Sequence, residues 1–89
     1  MREFWIGKNS ITTEQATTVT CDYIVLVQES GGSVSCESYG IKVILQENGE
    51  SSEIWDITLN ATHILELANL LCRNLVTPCT LYDVIVDWL

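Results

Sequence analysis

Histidine, cysteine and paired carboxylates are the side chains through which a short chain could do chemistry, and here they are few. His63 is the one histidine; no Gly-x-Ser-x-Gly serine or cysteine arrangement offers it a partner, and at the start of a helical stretch it reads as a surface residue. Asp83 and Asp87 stand four apart, which on a helix places both carboxylates on one side, where they could hold a cation. A pair of this kind on an outer face is ordinarily solvated, and that is the expectation. Cys21, Cys36, Cys72 and Cys79 are an even set that could staple a small fold. Cys21 and Cys36, however, fall on neighbouring strands several positions out of register. Cys72 and Cys79 straddle a helix junction with no Cys-x-x-Cys or histidine at ligand spacing. Free, mostly buried thiols are expected, with zinc at Cys72 and Cys79 as the alternative. Gly31-Gly32 and Asn48-Gly49 join strand to strand, whereas phosphate loops lead into a helix amino terminus. The chain is therefore expected to be no enzyme and to hold no metal and no cofactor.

Charge says more about partners. Twelve acidic residues against four basic ones give a net charge of -8, which excludes direct binding to nucleic acid or to an anionic membrane, since both need a positive surface. A charged partner should be basic. Glu47, Glu50, Glu53 and Asp56 lie close together in sequence with no base between them, and with Asp83 and Asp87 they are the candidate partner-binding residues. Hydrophobic residues make up 47% and mean hydropathy is +0.23, too apolar for a disordered chain. The longest uninterrupted apolar run, Tyr23 to Val27, has five residues, against roughly 20 for a bilayer span. The first residues lack the basic and long apolar regions of a secretory signal. An intact, cytoplasmic, single domain over residues 1–89 is the expectation.

The elements that must position these residues follow from periodicity. Tyr39, Ile41, Val43 and Leu45 share one face at period two, and so do Val19, Cys21, Tyr23, Val25 and Val27, which marks two half-buried strands. Residues 2–7 read as a short edge strand without a clear partner, and Asn9 to Thr18 as a connection or a continuation of that strand. Ser30-Gly31-Gly32-Ser33 and Glu47-Asn48-Gly49-Glu50 mark turns. Three-residue loops at each place Tyr23 opposite Ile41, Val25 opposite Tyr39, Val43 opposite Trp55 and Ile41 opposite Ile57, with Lys42 between Asp22 and Asp56. After a fourth strand, Glu53 to Ile57, the period changes. Asn60 caps a helix carrying Ile64, Leu67, Ala68, Leu71 and Leu75, which ends near Asn74. Thr77 and Pro78 then start a second helix with the stripe Leu81, Val84, Ile85 and Trp88. The fold class is α+β: an antiparallel meander of three to four strands over 19–58, followed by a helix pair over 60–89 on one face of the sheet.

Trp5, Trp55 and Trp88 are read as core anchors, Trp88 pinning the last helix. Ile24, Leu26 and Ile44 point away from the helices, which suggests a surface covered by the amino-terminal segment or by a second subunit. The stretch Asn74 to Leu89 holds Val76-Thr77-Pro78, then Leu81-Tyr82-Asp83-Val84, then Asp87-Trp88-Leu89. It resembles the ending of a family of small Firmicute proteins of unknown function, which share a Val-Thr-Pro, Leu-x-Asp-Val and Asp-x-Leu pattern. The resemblance extends through Tyr39-Gly40-Ile41 to about residue 21 and leaves the amino terminus unmatched. It implies a bacterial or phage source and a cytosolic protein, and no activity. Two functions follow: a non-enzymatic protein-interaction module that self-associates as a homodimer through Ile24, Leu26 and Ile44, or a phage-type acidic inhibitor that mimics nucleic acid and blocks a basic nucleic-acid-binding protein or defence nuclease.

Overall fold

Strands β1 (Arg2–Thr12), β2 (Thr18–Ser30), β3 (Cys36–Leu45) and β4 (Ser51–Thr58) are followed by helices α1 (Ala61–Arg73) and α2 (Leu81–Trp88). The computed structural model describes residues 2–12, 14–30 and 36–88; the turn expected at Gly31-Gly32-Ser33 lies outside them. Each strand pairs antiparallel with the next, in the order β1-β2-β3-β4, so the α+β meander with a helix pair on the sheet is the observed fold.

The core is the period-two face of the central strands. Cys21, Tyr23, Val25, Val27, Ile41 and Val43 meet Ile64, Leu67, Ala68 and Leu71 from α1 and Leu81 and Ile85 from α2. Burying each large aliphatic side chain contributes about 1.5 to 3 kcal/mol, far more than any propensity in so short an element. The first strand is longer than residues 2–7, because the polar stretch has an inward residue of its own. Asn9 lies opposite Cys21 and donates its side-chain amide to the Cys72 carbonyl at 2.7 Å, tying β1 to the end of α1. A bulge between Trp5 and Gly7 re-phases the strand, which is why its alternation looks poor in sequence.

The pairing differs from the expected register. Tyr23 faces Val43 and Val25 faces Ile41, a shift of two that keeps every side chain on its face, and Asp22 lies opposite Ile44. At the second hairpin Leu45 donates to the Glu50 carbonyl at 2.7 Å and Gly49 donates to Leu45 at 2.9 Å, closing a loop of residues 46–49. Ile41 then faces Ile54, Lys42 faces Glu53 and Val43 faces Ser52, in place of Ile57, Asp56 and Trp55. Lys42 thus sits between Ile24 and Glu53, not between two aspartates. Such a slip would turn Ile57 away from the core, and a second bulge restores it. Trp55, Asp56 and Ile57 stand opposite Gly40 alone, with Asp56 in the left-handed region at φ 54°, so Ile54 and Ile57 both pack on the core while Trp55 does not join it.

Asn60 caps α1 as expected, its side chain accepting from the His63 amide at 3.1 Å. At the other end Leu75 donates to Cys72 and Val76 to Leu71, a Schellman closure with Leu75 at φ 50° where glycine is usual. Helix α2 begins at Leu81 and not at Pro78. Thr80 donates its amide to the Thr77 carbonyl at 3.1 Å, forming a separate turn, and the Thr80 carbonyl accepts from Val84 to open the helix. The stripe Leu81, Val84, Ile85 and Trp88 packs on the core as expected, with Trp88 half-buried. The other two tryptophans are no core anchors: Trp5 is 60% exposed and Trp55 lies outside the core cluster.

Candidate partner-binding groove

Strand and helix lengths leave part of the core face uncovered. The 13 residues of β2 extend about 43 Å at strand rise, whereas the 13 residues of α1 extend about 20 Å. Beyond the amino-terminal end of α1 the sheet therefore opens into a groove of about 300 Å³, lined by Val25 and Val27 of β2, by Phe4 and Tyr39 on the strands to either side, and by Ile64 and Leu65 of α1. Phe4 and Leu65 are 49% and 47% exposed. At the mouth, the Arg2 guanidinium lies 2.8 Å from Glu37, 3.7 Å from Glu29 and 5.7 Å from the centre of the Phe4 ring. These contacts are open to water and each contributes at most about 1 kcal/mol.

The carboxylates singled out in the sequence do not form one site. Glu47 bonds across the hairpin, accepting from the Thr20 amide at 2.7 Å. Glu50 is held at the turn by Asn48, whose side-chain oxygen accepts from the Glu50 amide at 2.8 Å. Glu53 faces Lys42 across the strands, Asp56 lies at the bulge, and Asp83 and Asp87 are on α2. All six are exposed and none forms an ion pair among the described residues. The glutamates at the groove are Glu37 in its lining and Glu29 beside it, both held by Arg2; neither stands out in the sequence, because their proximity to Arg2 and Phe4 depends on β1 folding back along β2.

On the opposite face of the sheet Ile24 and Ile44 are half-buried, as a partly covered surface would have them, but Leu26 is 1% exposed. Leu26 lies opposite Gly40, and β4 crosses over that glycine at Ile54 and Trp55. The ion pair between Glu3 and Lys42, 3.6 Å, also spans β2 on this face. Trp5, directly opposite Ile24, donates its indole N–H to Asp22 at 3.3 Å, and the other Asp22 oxygen accepts from Gln46 at 2.8 Å. The chain's own first strand thus supplies much of the cover that the sequence left between two alternatives.

Of the described thiols, Cys21 is buried, Cys72 half-buried and Cys79 exposed, and all three are free, Cys79 being the exposed exception in a set expected to be mostly buried; the Cys36 side chain lies outside the described residues. Burial pushes the Cys21 thiol above the ordinary cysteine range, with the nearby Tyr23 hydroxyl acting the other way. Burial, then the neighbouring Cys21 thiol, raises the Tyr23 hydroxyl well above the tyrosine range. That hydroxyl donates to the Val76 carbonyl at 2.9 Å, a structural bond between β2 and the link joining the helices. His63 is exposed, its ring meeting Trp88 edge-on at 6.3 Å. Among the described residues no three His, Cys, Asp or Glu side chains are grouped to hold a metal ion.

Among the described residues no helix is long and apolar enough to cross a membrane. No curated protein and no solved structure matches the chain. A family model matches residues 2–89, taking in the first strand that the carboxyl-terminal resemblance leaves out, and the chain thereby belongs to a family of unknown function, DUF6514.

Proposed function

We propose that this protein is a small, acidic, non-enzymatic interaction module that receives part of a protein partner in the groove beside α1. The observation that carries this reading is that Phe4 and Leu65, two large apolar side chains about half exposed, line one depression. Exposed apolar surface of that kind is more often a contact than a solubility device. The net charge of -8 favours a basic partner. The carboxyl-terminal likeness to small Firmicute proteins supports a bacterial or phage source and a cytoplasmic setting. Affinity capture from such a lysate, compared between the parent, Leu65→Glu and Ile44→Glu, tests the reading. A partner held by the parent and by Ile44→Glu but lost by Leu65→Glu supports the groove; retention by Leu65→Glu overturns it.

A second reading, an acidic inhibitor seated in the nucleic-acid groove of a basic protein, is favoured by the exposed Glu47, Glu50 and Glu53, which form no ion pair among the described residues. Charge reversal at Glu50 and Glu53 should slow association with such a protein and flatten its salt dependence. A complex indifferent to salt counts against mimicry.

A further inference from the structure

We infer that the groove recognises an arginine set among apolar residues of a protein partner, and that Arg2 holds the place of that arginine in the free protein. The inference rests on the groove being the partner site and names what enters it. Its mouth is a cation site built from two carboxylates and the face of an aromatic ring. Arg2 fills it, 2.8 Å from Glu37, 3.7 Å from Glu29 and 5.7 Å from the Phe4 ring centre. A planar guanidinium suits this setting better than an ammonium, because it stacks on the ring while its fork faces a carboxylate. Arg2 is a replaceable occupant. It stands near the end of an edge strand, its side chain is 51% exposed, and exposed ion pairs of this kind are held by about 1 kcal/mol or less. Beside the mouth, over the buried Val25 and Val27, the accessible apolar lining is Phe4, Tyr39 and Leu65, which would take the apolar neighbours of the incoming arginine. An anionic ligand is disfavoured by Glu29 and Glu37 together and by the surrounding net charge.

The test is a titration of the 15N-labelled protein with the peptide acetyl-Leu-Arg-Leu-Leu-amide and with the same peptide carrying citrulline, the neutral isostere of arginine. The arginine peptide should move the amide signals of Phe4, Val25, Val27 and Leu65. Removing the resident side chain, Arg2→Ala, should tighten its binding by about fivefold, the factor that about 1 kcal/mol represents. Adding Glu37→Gln to Arg2→Ala should weaken it again by about tenfold, and citrulline should do the same to Arg2→Ala. Equal binding of the two peptides, at these amides, overturns the arginine inference and leaves the groove reading standing. Absence of shifts at these amides with either peptide, in both the parent and Arg2→Ala, overturns both.

Discussion

Gly40 lies beneath the backbone of Trp55: a Cβ placed on it would fall 2.9 Å from the Trp55 Cα and closer still to the Ile54 carbonyl oxygen. Strand β4 can therefore bulge across β3 only where β3 has no side chain. Gly40→Ala should destabilise the protein by about 1 to 3 kcal/mol, as overpacking against backbone does. Urea unfolding measures this; an alanine variant as stable as the parent would show that the bulge does not close over this position.

Asp56 supplies the other half of the same bulge through its φ of 54°. Aspartate tolerates this region better than most residues, and glycine occupies it freely. Asp56→Gly should leave the melting temperature unchanged or raise it, whereas Asp56→Val should cost about 1 to 2 kcal/mol. The order of the two variants in thermal melts checks the backbone argument, since a role for the carboxylate itself would make both harmful.

Tyr23 and Cys21 make the fold sensitive to alkali. Both are neutral when protonated and both are raised in the folded protein by burial, so the stability they contribute is complete below their ordinary values. It drains away as pH climbs past about 9 to 10. Tyr23→Phe removes one of these groups and also leaves the Val76 carbonyl without its 2.9 Å donor. It should be less stable than the parent at neutral pH by about 1 to 2 kcal/mol, with the gap narrowing above pH 10. Denaturant midpoints at pH 7 and pH 10.5 give both numbers.

Trp88 is the last residue of the α2 stripe, half-buried on the core and edge-on to His63 at 6.3 Å. Asp87 works against this helix end, where negative charge is unfavourable by about 0.3 to 1 kcal/mol, so packing must hold the turn. Trp88→Ala should cost about 2 kcal/mol, below the 3 to 5 kcal/mol of a fully buried ring. A variant that melts like the parent while losing a partner would instead mark α2 as a binding surface.

The face away from the helices bears on self-association. Leu26 is already covered, which narrows the contact to Ile24, Ile44 and the exposed Trp5. Light scattering at micromolar concentration should give the mass of a dimer for the parent and of a monomer for Trp5→Ala combined with Ile44→Glu. A monomeric parent overturns the expectation of self-association through this face.

Element types, the core faces of β2, β3 and α1, and the Asn60 cap are legible in the sequence, because each is a local property. Period two in Cys21, Tyr23, Val25 and Val27, the three-and-four spacing of Ile64, Leu67, Ala68 and Leu71, and Asn60 before its helix all act within a few residues. Register lay beyond it. The Ile41 and Ile54 pairing depends on a loop closed at Glu50 and a bulge that only Gly40 admits, and neither is a preference of the strands alone. Leu75 takes a left-handed conformation without glycine because its side chain packs on the core, an exchange of backbone cost for burial that propensity cannot show. The groove too is a product of packing, since a strand and a helix of equal residue count differ twofold in length. Tertiary structure brought Arg2 and Phe4 to Glu37, 33 and more residues away in the chain, since only the pairing of β1 along β2 and β2 along β3 sets those side chains at one end of the sheet.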